Sequence, residues 1–273
     1  MLFRQNAEHA AAVFHCTRDP EDNWYSPLAA PFGGIQSDGK CNENEITFLL
    51  NCIKKWVNLF SGKKMTIKTA PSAYDLKMHI FYHNCYMNAG FIPESTYSSH
   101  FIPVSPVPFC NRIAAAERRR LRKAVDAKFI SGPDSTVSYE TAYEFIQECR
   151  LQKGYAVSVP LLQMQLLLNV FPDHFQIFTV KDTDRIIALS LTVRVNERVL
   201  YNFLPADLCS YRQFSPTVLL LETIYRFCQE KQISMLDLGI SADGNGIHKP
   251  SLSRFKQNVG GEACVKITYS QKF

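Results

Sequence analysis

The chain has 273 residues, of which 46% are hydrophobic and 20% charged, values that are ordinary for a globular protein with a full core. No stretch approaches the ~18 uncharged apolar residues that a membrane span needs, and residues 1–6 lack the apolar core of a secretory signal, so we expect a cytoplasmic protein. The nine cysteines form no C-x-x-C pair, which argues against a disulfide framework or a zinc ribbon. The net charge of +5 fits a protein that handles anionic ligands, although many other proteins share it.

Hydrophobic periodicity predicts the elements of the first 155 residues. Residues 43–60 carry apolar side chains at helical spacing, with Asn42 or Asn44 as a cap for the start of the helix. The elements that follow are a strand at 65–69, a helix at 74–88 that stops at Gly90, strand and loop at 91–110, a basic helix at 114–128 and an amphipathic helix that ends at Gly154.

The second part of the chain has a different order of elements. Pro160 opens a helix to about residue 171, because proline is favoured in the first turn of a helix. Three alternating segments, 174–181, 185–195 and 198–204, predict an antiparallel meander. They are followed by a helix at 215–229 that is apolar nearly all round, a strand at 234–238, a helix at 251–259 and a strand at 262–269.

A weak internal repeat relates the two parts. The helix and strand at 43–69 align without gaps with residues 214–240 at a constant offset of 171 positions, so that Leu49 meets Leu220 and Ile67 meets Leu238. Either the chain contains two related halves, or two amphipathic helix–strand units align by periodicity alone.

Several motifs resemble the Fem family, tandem GNAT-fold enzymes that add amino acids to cell-wall precursors. The motifs are AERRRLRKA at 116–124, FSPTVLLL at 214–221, MLDLG at 235–239 and LSRFKQNVGG at 252–261, while SPLAAPFGG at 26–34 is similar to bacterial GNAT-like relatives. The resemblance implies an α/β fold with a mixed sheet, built from tandem GNAT-like halves. We place a shortened N-terminal half at residues 1–130 and a C-terminal half at 131–273.

The resemblance also implies the chemistry, an acyl transfer to an amine. This reaction requires a deprotonated amine, a stabilised tetrahedral oxyanion and an accepted leaving group, but no covalent nucleophile. Lys256 follows Phe255 in the motif, and in the enzymes that this chain resembles that lysine lies close to the acyl donor. Asp237, late in a buried strand, is the second catalytic candidate, either orienting the amine or accepting its proton, although such an aspartate often caps the next loop.

Further polar residues are candidates for substrate binding. Arginine suits bidentate phosphate contacts, and Arg118 and Arg122 share a face of the basic helix at i, i+4. The other candidates are Lys123 of the same helix, Tyr201 and Asn202 of the meander, and Ser241 and His248 of the loop after the strand at 234–238.

Neither the motifs nor the resemblance decides the substrates. We expect no tightly bound cofactor, and either acyl-CoA or aminoacyl-tRNA as the co-substrate that donates the acyl group. The acceptor is expected to be a small-molecule amine or resemble a cell-wall precursor; tRNA is a possible partner and DNA is not. We expect no metal site, since His79 and His83 lack a third ligand. The alternative is a catalytically inactive GNAT-like module that binds a nucleotide-linked ligand or a protein partner.

Overall fold

The computed structural model of the chain describes residues 1–4, 8–155, 157 and 159–273. It divides into two compact units, the first made of Met1–Ser98 with Cys264–Phe273 and the second of Ser99–Ala263. The chain thus passes from the first unit to the second after residue 98 and returns to the first at residue 264.

Strands and helices alternate along most of the described chain. The strands are β1 (Ala12–Phe14), β2 (Thr17–Arg18), β3 (Asn23–Ser26), β4 (Ile35–Ser37), β5 (Lys64–Lys68), β6 (Ile92–Pro103), β7 (Ile130–Pro133), β8 (Phe175–Asp182), β9 (Arg185–Arg194), β10 (Val199–Asp207), β11 (Met235–Ile240) and β12 (Glu262–Lys272). The α-helices are α1 (Glu43–Leu59), α2 (Leu76–Asn88), α3 (Phe109–Arg112), α4 (Ala115–Asp126), α5 (Tyr139–Leu151), α6 (Leu161–Val170), α7 (Pro216–Glu230) and α8 (Pro250–Asn258).

The first unit contains a sheet of order β2-β3-β5-β12, in which β3 and β5 are parallel and the other pairs antiparallel. Helix α1 begins with a capping box, in which the Asn42 side chain accepts from the Glu45 backbone N–H and the Glu45 side chain accepts from Asn42. One face of α1 is buried, and its members are Ile46, Leu49, Leu50 and Val57. This face closes a core with β5 and α2.

The second unit contains a sheet of order β6-β11-β10-β9-β8-β7. Strands β8, β9 and β10 form the predicted antiparallel meander, and β11 runs parallel to β10. Helix α7 packs on this sheet and is buried on several sides, as its apolar composition predicted; its buried residues are Pro216, Val218, Leu219, Leu220, Leu221, Thr223, Ile224, Tyr225 and Cys228.

Two features differ from the sequence-based expectation. Strand β7 and the short strands β1 to β4 were not predicted as separate elements, because segments of two to four residues are too short to show a period. The compact units also divide at residue 98 rather than at residue 130, because Leu121 and Ala124 of α4 are buried in the same core as α7.

The two units repeat the same order of helix, parallel strand, helix and glycine turn. Strand β5 follows α1 and runs parallel to β3, as β11 follows α7 and runs parallel to β10. Helix α2 ends in a turn at Gly90 (φ +87°), where the Phe91 N–H bonds the Tyr86 carbonyl, and α8 ends in the same turn at Gly260 (φ +86°). In this alignment of helix ends, Tyr86 corresponds to Lys256, since each lies four residues before its glycine.

None of the helices among the described residues combines the length and the apolar character that crossing a bilayer would require.

Candidate functional site

The two parallel strands of the second unit part after three residue pairs. Strands β10 and β11 are paired from Val199–Met235 to Tyr201–Asp237. Beyond that point β10 continues to Asp207 along β9, and β11 continues to Ile240 along β6. The neighbouring strands therefore separate while each keeps its outer partner.

A β-bulge on each strand explains the separation. The pairing of β10 with β9 shifts between Tyr201 and Leu204, and the pairing of β11 with β6 shifts between Asp237 and Gly239. A bulge bends its strand and increases the local twist. Gly239 has a φ of +73°, a conformation that glycine adopts without strain. Because both bulges lie where the pairing of β10 with β11 ends, they bend the two strands apart.

Lys256 reaches this point from helix α8. Its side chain is 7% exposed, and its Nζ donates to the backbone carbonyls of Gly239 (2.9 Å) and Ile240 (2.7 Å). Burial lowers the pKa of Lys256 to about 8, an effect that the nearby Asp237 carboxylate opposes. An ammonium carries three donors, so two are occupied by the carbonyls and one remains.

Asp237 and Tyr201 converge on the same glycine. The Asp237 carboxylate accepts from the Gly239 N–H (2.7 Å), and a Cβ at residue 239 would lie 3.3 Å from the Tyr201 ring and hydroxyl. Burial and then the charge of Asp237 raise the pKa of Tyr201, while Arg150 acts in the opposite direction. The predicted residues Lys256, Asp237 and Tyr201 therefore lie together where the strands part.

A buried histidine links β6, β11 and α8. His100 is 0% exposed, its Nδ1 shares a hydrogen bond with the Ser241 hydroxyl (3.1 Å) and its Nε2 shares one with Ser253 (3.2 Å). Burial, followed by the charges of Lys256 and His248, lowers the pKa of His100. Sequence reasoning missed His100, because the partners of this histidine are about 140 residues or more away along the chain.

A cleft of about 830 Å³ lies beside the loop that follows β11. Arg150 of α5, His248 and Lys249 line it, together with Tyr155 and Phe255. Lys249 donates to the Tyr155 hydroxyl (2.5 Å) and lies 4.5 Å from the centre of the Tyr155 ring. His248 thus lines a cavity, while its role in substrate binding stays a prediction; Arg150 and Lys249 were not predicted.

Two predicted residues are engaged in internal hydrogen bonds. Asn202 is buried and accepts from the Ser190 hydroxyl (2.5 Å), and Ser241 is buried against His100. These contacts hold β10 to β9 and β11 to β6, and they leave both side chains inside the unit.

The basic helix α4 has structural contacts of its own. Arg118 donates to the carbonyls of Cys110 (2.8 Å) and Ile113 (3.3 Å), and Lys123 lies over the ring of Phe214. Neither Arg118, Lys123 nor the exposed Arg122 is among the described residues that line the cleft. Their proposed phosphate contacts stay a prediction.

The first unit contains a smaller cavity, of about 190 Å³, whose lining includes four tyrosines together with His79 and His83. His83 shares a hydrogen bond with the Tyr269 hydroxyl (2.6 Å), and burial followed by the charge of His83 lowers the pKa of His79. Throughout the part of the chain that the structure describes, no three His, Cys, Asp or Glu side chains are grouped so that they would hold a metal ion.

We compared the chain with curated proteins and with solved structures. None of the curated proteins matches the chain. The solved structure of FemX is similar over 99% of this chain and 87% of that one, with a TM-score of 0.73 and 10% identity. The C-terminal domain of a putative lysylphosphatidylglycerol synthetase from Agrobacterium fabrum has a TM-score of 0.66 at 12% identity, over 96% of this chain and 82% of that one.

A tandem GNAT protein from the clavulanic acid biosynthesis pathway is also similar, with a TM-score of 0.54 at 8% identity, over 92% of this chain and 75% of that one. At such identities these likenesses concern the fold, and they confirm the expected tandem GNAT-like α/β architecture. The profile described as "Acetyltransferase (GNAT) domain" matches residues 110–257, more than half of the sequence. The chain therefore belongs to the GNAT acetyltransferase family.

Proposed function

We propose that this protein is an N-acyltransferase that moves an acyl or aminoacyl group from an activated carrier to an amine by direct attack. The observation that carries the proposal is the ammonium of Lys256, which is buried where β10 and β11 part. A buried cation beside a gap in a sheet is suited to stabilise negative charge, since the low local dielectric strengthens the interaction.

The proposed reaction has one tetrahedral intermediate. The acceptor, which must first lose a proton to solvent, attacks the acyl carbonyl carbon with its nitrogen lone pair and forms the new C–N bond. The carbonyl electrons move onto oxygen, and the remaining N–H of Lys256 donates to this oxyanion. When the oxyanion collapses, the bond from the acyl carbon to the carrier breaks and the carrier atom leaves with the electron pair. The attacking nitrogen then loses its second proton, and the carrier atom takes up a proton.

Asp237 has an electrostatic role in this scheme. Its carboxylate opposes the lowering of the Lys256 pKa by burial, so it favours the charged form of the lysine on which the stabilisation depends. The carboxylate also accepts from the Gly239 N–H and thereby holds the bulge that opens the strands. In this proposal Asp237 is a positioning residue, whereas the sequence left open whether it orients the amine, accepts its proton or caps the next loop.

Acyl-CoA and aminoacyl-tRNA both remain candidates for the donor. Pyrophosphate groups are commonly bound by the free N–H groups at a helix N-terminus that follows a strand. Here residues 208–215 between β10 and α7 contain no glycine, and Pro216 at the start of α7 has no N–H. This observation favours aminoacyl-tRNA as the donor. The acceptor is proposed to be a small amine or a precursor of cell-wall type.

The test is a transfer assay with two labelled donors, acetyl-CoA and a mixture of aminoacyl-tRNAs, each offered a panel of amines. We expect transfer by the wild-type protein from one donor, and a loss of at least about 100-fold in kcat for Lys256→Met, since removal of one oxyanion donor typically costs that much. Lys231→Met, a substitution of an exposed lysine, is the matched control. Equal rates in wild type and Lys256→Met would overturn the proposed role of the lysine. Ligand binding without any turnover would favour the inactive module instead.

A further inference from the structure

Arg150 is a partly buried cation without a counter-ion among the described residues. It lies near the end of α5 and lines the cleft beside the loop after β11. Its Nε is buried and has no hydrogen-bond partner in the described part of the chain. No carboxylate of those residues lies within ion-pair distance of its guanidinium.

An unpaired guanidinium nitrogen in this position is costly. A donor that loses its water without gaining a partner destabilises the fold, and the cost is larger when the donor is charged. Tyr201 is the titratable group whose charge bears on Arg150, but burial raises the pKa of this phenol, so it carries no charge near neutral pH. The protein therefore keeps a charged donor whose partner has to come from outside the described residues.

A second cation faces the same cleft. The ammonium of Lys249 contacts the hydroxyl and the ring of Tyr155, and both are neutral partners. The carboxylate that lines the cleft is Asp243, and it accepts from the backbone N–H groups of Asn245 (2.9 Å) and Ile247 (3.0 Å). Among the described residues of the lining, two cations thus lack an anionic partner, and one carboxylate is bonded to its own loop.

We propose that Arg150 and Lys249 bind an oxyanion group of the substrate, a phosphate or a carboxylate, in this cleft. The planar guanidinium presents paired N–H donors that match such a group, and Lys249 adds a flexible point charge. This proposal rests on the proposed acyltransferase function, because the cleft borders the loop that connects β11 with the Lys256 helix. Inorganic phosphate and acetate represent the two sources, a phosphorylated carrier and a substrate carboxylate.

The test measures anion binding by titration calorimetry, with inorganic phosphate, pyrophosphate and acetate as separate probes. We expect saturable binding of at least one probe to the wild-type protein, weakened about 10- to 100-fold in Arg150→Gln, the range for a hydrogen bond to a charged group. Lys249→Met should weaken it less, and Arg150→Lys should restore part of it. Arg254→Gln, at an exposed arginine of α8, is the matched control. Tighter binding of phosphate would indicate a phosphorylated carrier as the natural ligand, and tighter binding of acetate would indicate a substrate carboxylate.

The result is separable from that of the transfer assay. Lys256→Met should bind the same probe with unchanged affinity even though transfer is lost. Arg150→Gln should unfold at the same denaturant concentration as wild type or a higher one, because it removes a charge without a partner. Equal affinity in wild type and Arg150→Gln, or no saturable binding of any probe to wild type, would overturn the proposal. A large loss of stability in Arg150→Gln would overturn the proposal too, since it would show that Arg150 stabilises the fold through contacts within the protein.

Discussion

Replacement of Lys256 by methionine should change how the stability of the protein depends on pH. The pKa of Lys256 falls from its ordinary value of 10.5 to about 8 in the folded protein. Between these values the unfolded chain binds more protons than the folded one, so the free energy of unfolding rises with pH. The full slope is about 1.4 kcal/mol per pH unit and only half of that at pH 8, so the wild type should gain about 1.6 kcal/mol relative to Lys256→Met between pH 8 and pH 9.5.

The reason is the desolvation of the ammonium. Below pH 8 the folded protein keeps a buried cation at a cost, and as the pH rises that cost disappears while the neutral amine keeps hydrogen bonding to Gly239 and Ile240. Methionine has a similar length, carries no charge and leaves both carbonyls without this donor. At pH 7 the substitution removes both the desolvation cost of the ammonium and its two hydrogen bonds, and these effects on the free energy of unfolding have opposite signs. The pH dependence of the stability is therefore diagnostic, whereas its absolute value is not.

The assay is urea denaturation of both proteins at pH 7.0 to 9.5, with the difference between their free energies of unfolding plotted against pH. Far-UV circular dichroism is the appropriate signal, because both tryptophans, Trp24 and Trp56, lie in the first unit and would not report on the second. Lys231→Met, at an exposed position, should give curves parallel to the wild type. Parallel curves for Lys256→Met as well would refute the argument that this ammonium is desolvated.

Three further predictions follow from the described contacts. The rate of acyl transfer should fall as the pH rises through about 8, since Lys256 loses its proton there, and Lys256→Arg should shift that fall to higher pH in a rate–pH profile. Gly239→Ala should lower the free energy of unfolding by about 1–2 kcal/mol, because alanine at φ +73° is strained and its Cβ would press on Tyr201; an unchanged denaturation midpoint would contradict this. Asn42→Ala should lower the stability of the first unit by about 1 kcal/mol through loss of the capping box, as measured by tryptophan fluorescence, and Asn44→Ala, inside the helix, should not.

Much of the fold could be predicted from local patterns. The helices α1, α5 and α7 have apolar faces at helical spacing, and the meander has alternation and turns, so each is encoded within a short window. The shortest strands have no such signal, since their pairing depends on neighbours far along the chain. The place where β10 and β11 part and its physical cause, a bulge on each strand, became visible only in the register of the strand pairs.

The candidate site could be predicted only where its residues belong to a local sequence motif. Lys256 belongs to a motif with a recognisable spacing, and it lies buried beside Gly239. Arg150 and His100 belong to no motif. Arg150 is distinguished by an Nε without a hydrogen-bond partner among the described residues, and His100 by two partners that lie far away along the chain. Whether a polar side chain binds a ligand or a neighbouring strand, as Asn202 does with Ser190, depends on contacts that spacing does not encode.

Helices α2 and α8 end in the same glycine turn, but the residue four positions before the glycine can carry a positive charge only in the second unit. In the first unit the position four residues before the glycine holds Tyr86, whose buried hydroxyl accepts from the Ile35 N–H. A phenol at this position fills space and accepts a hydrogen bond, but it never becomes cationic. The same helix end thus occurs twice, and the buried side chain at this position is a neutral phenol in the first unit and an amine that can carry a positive charge in the second.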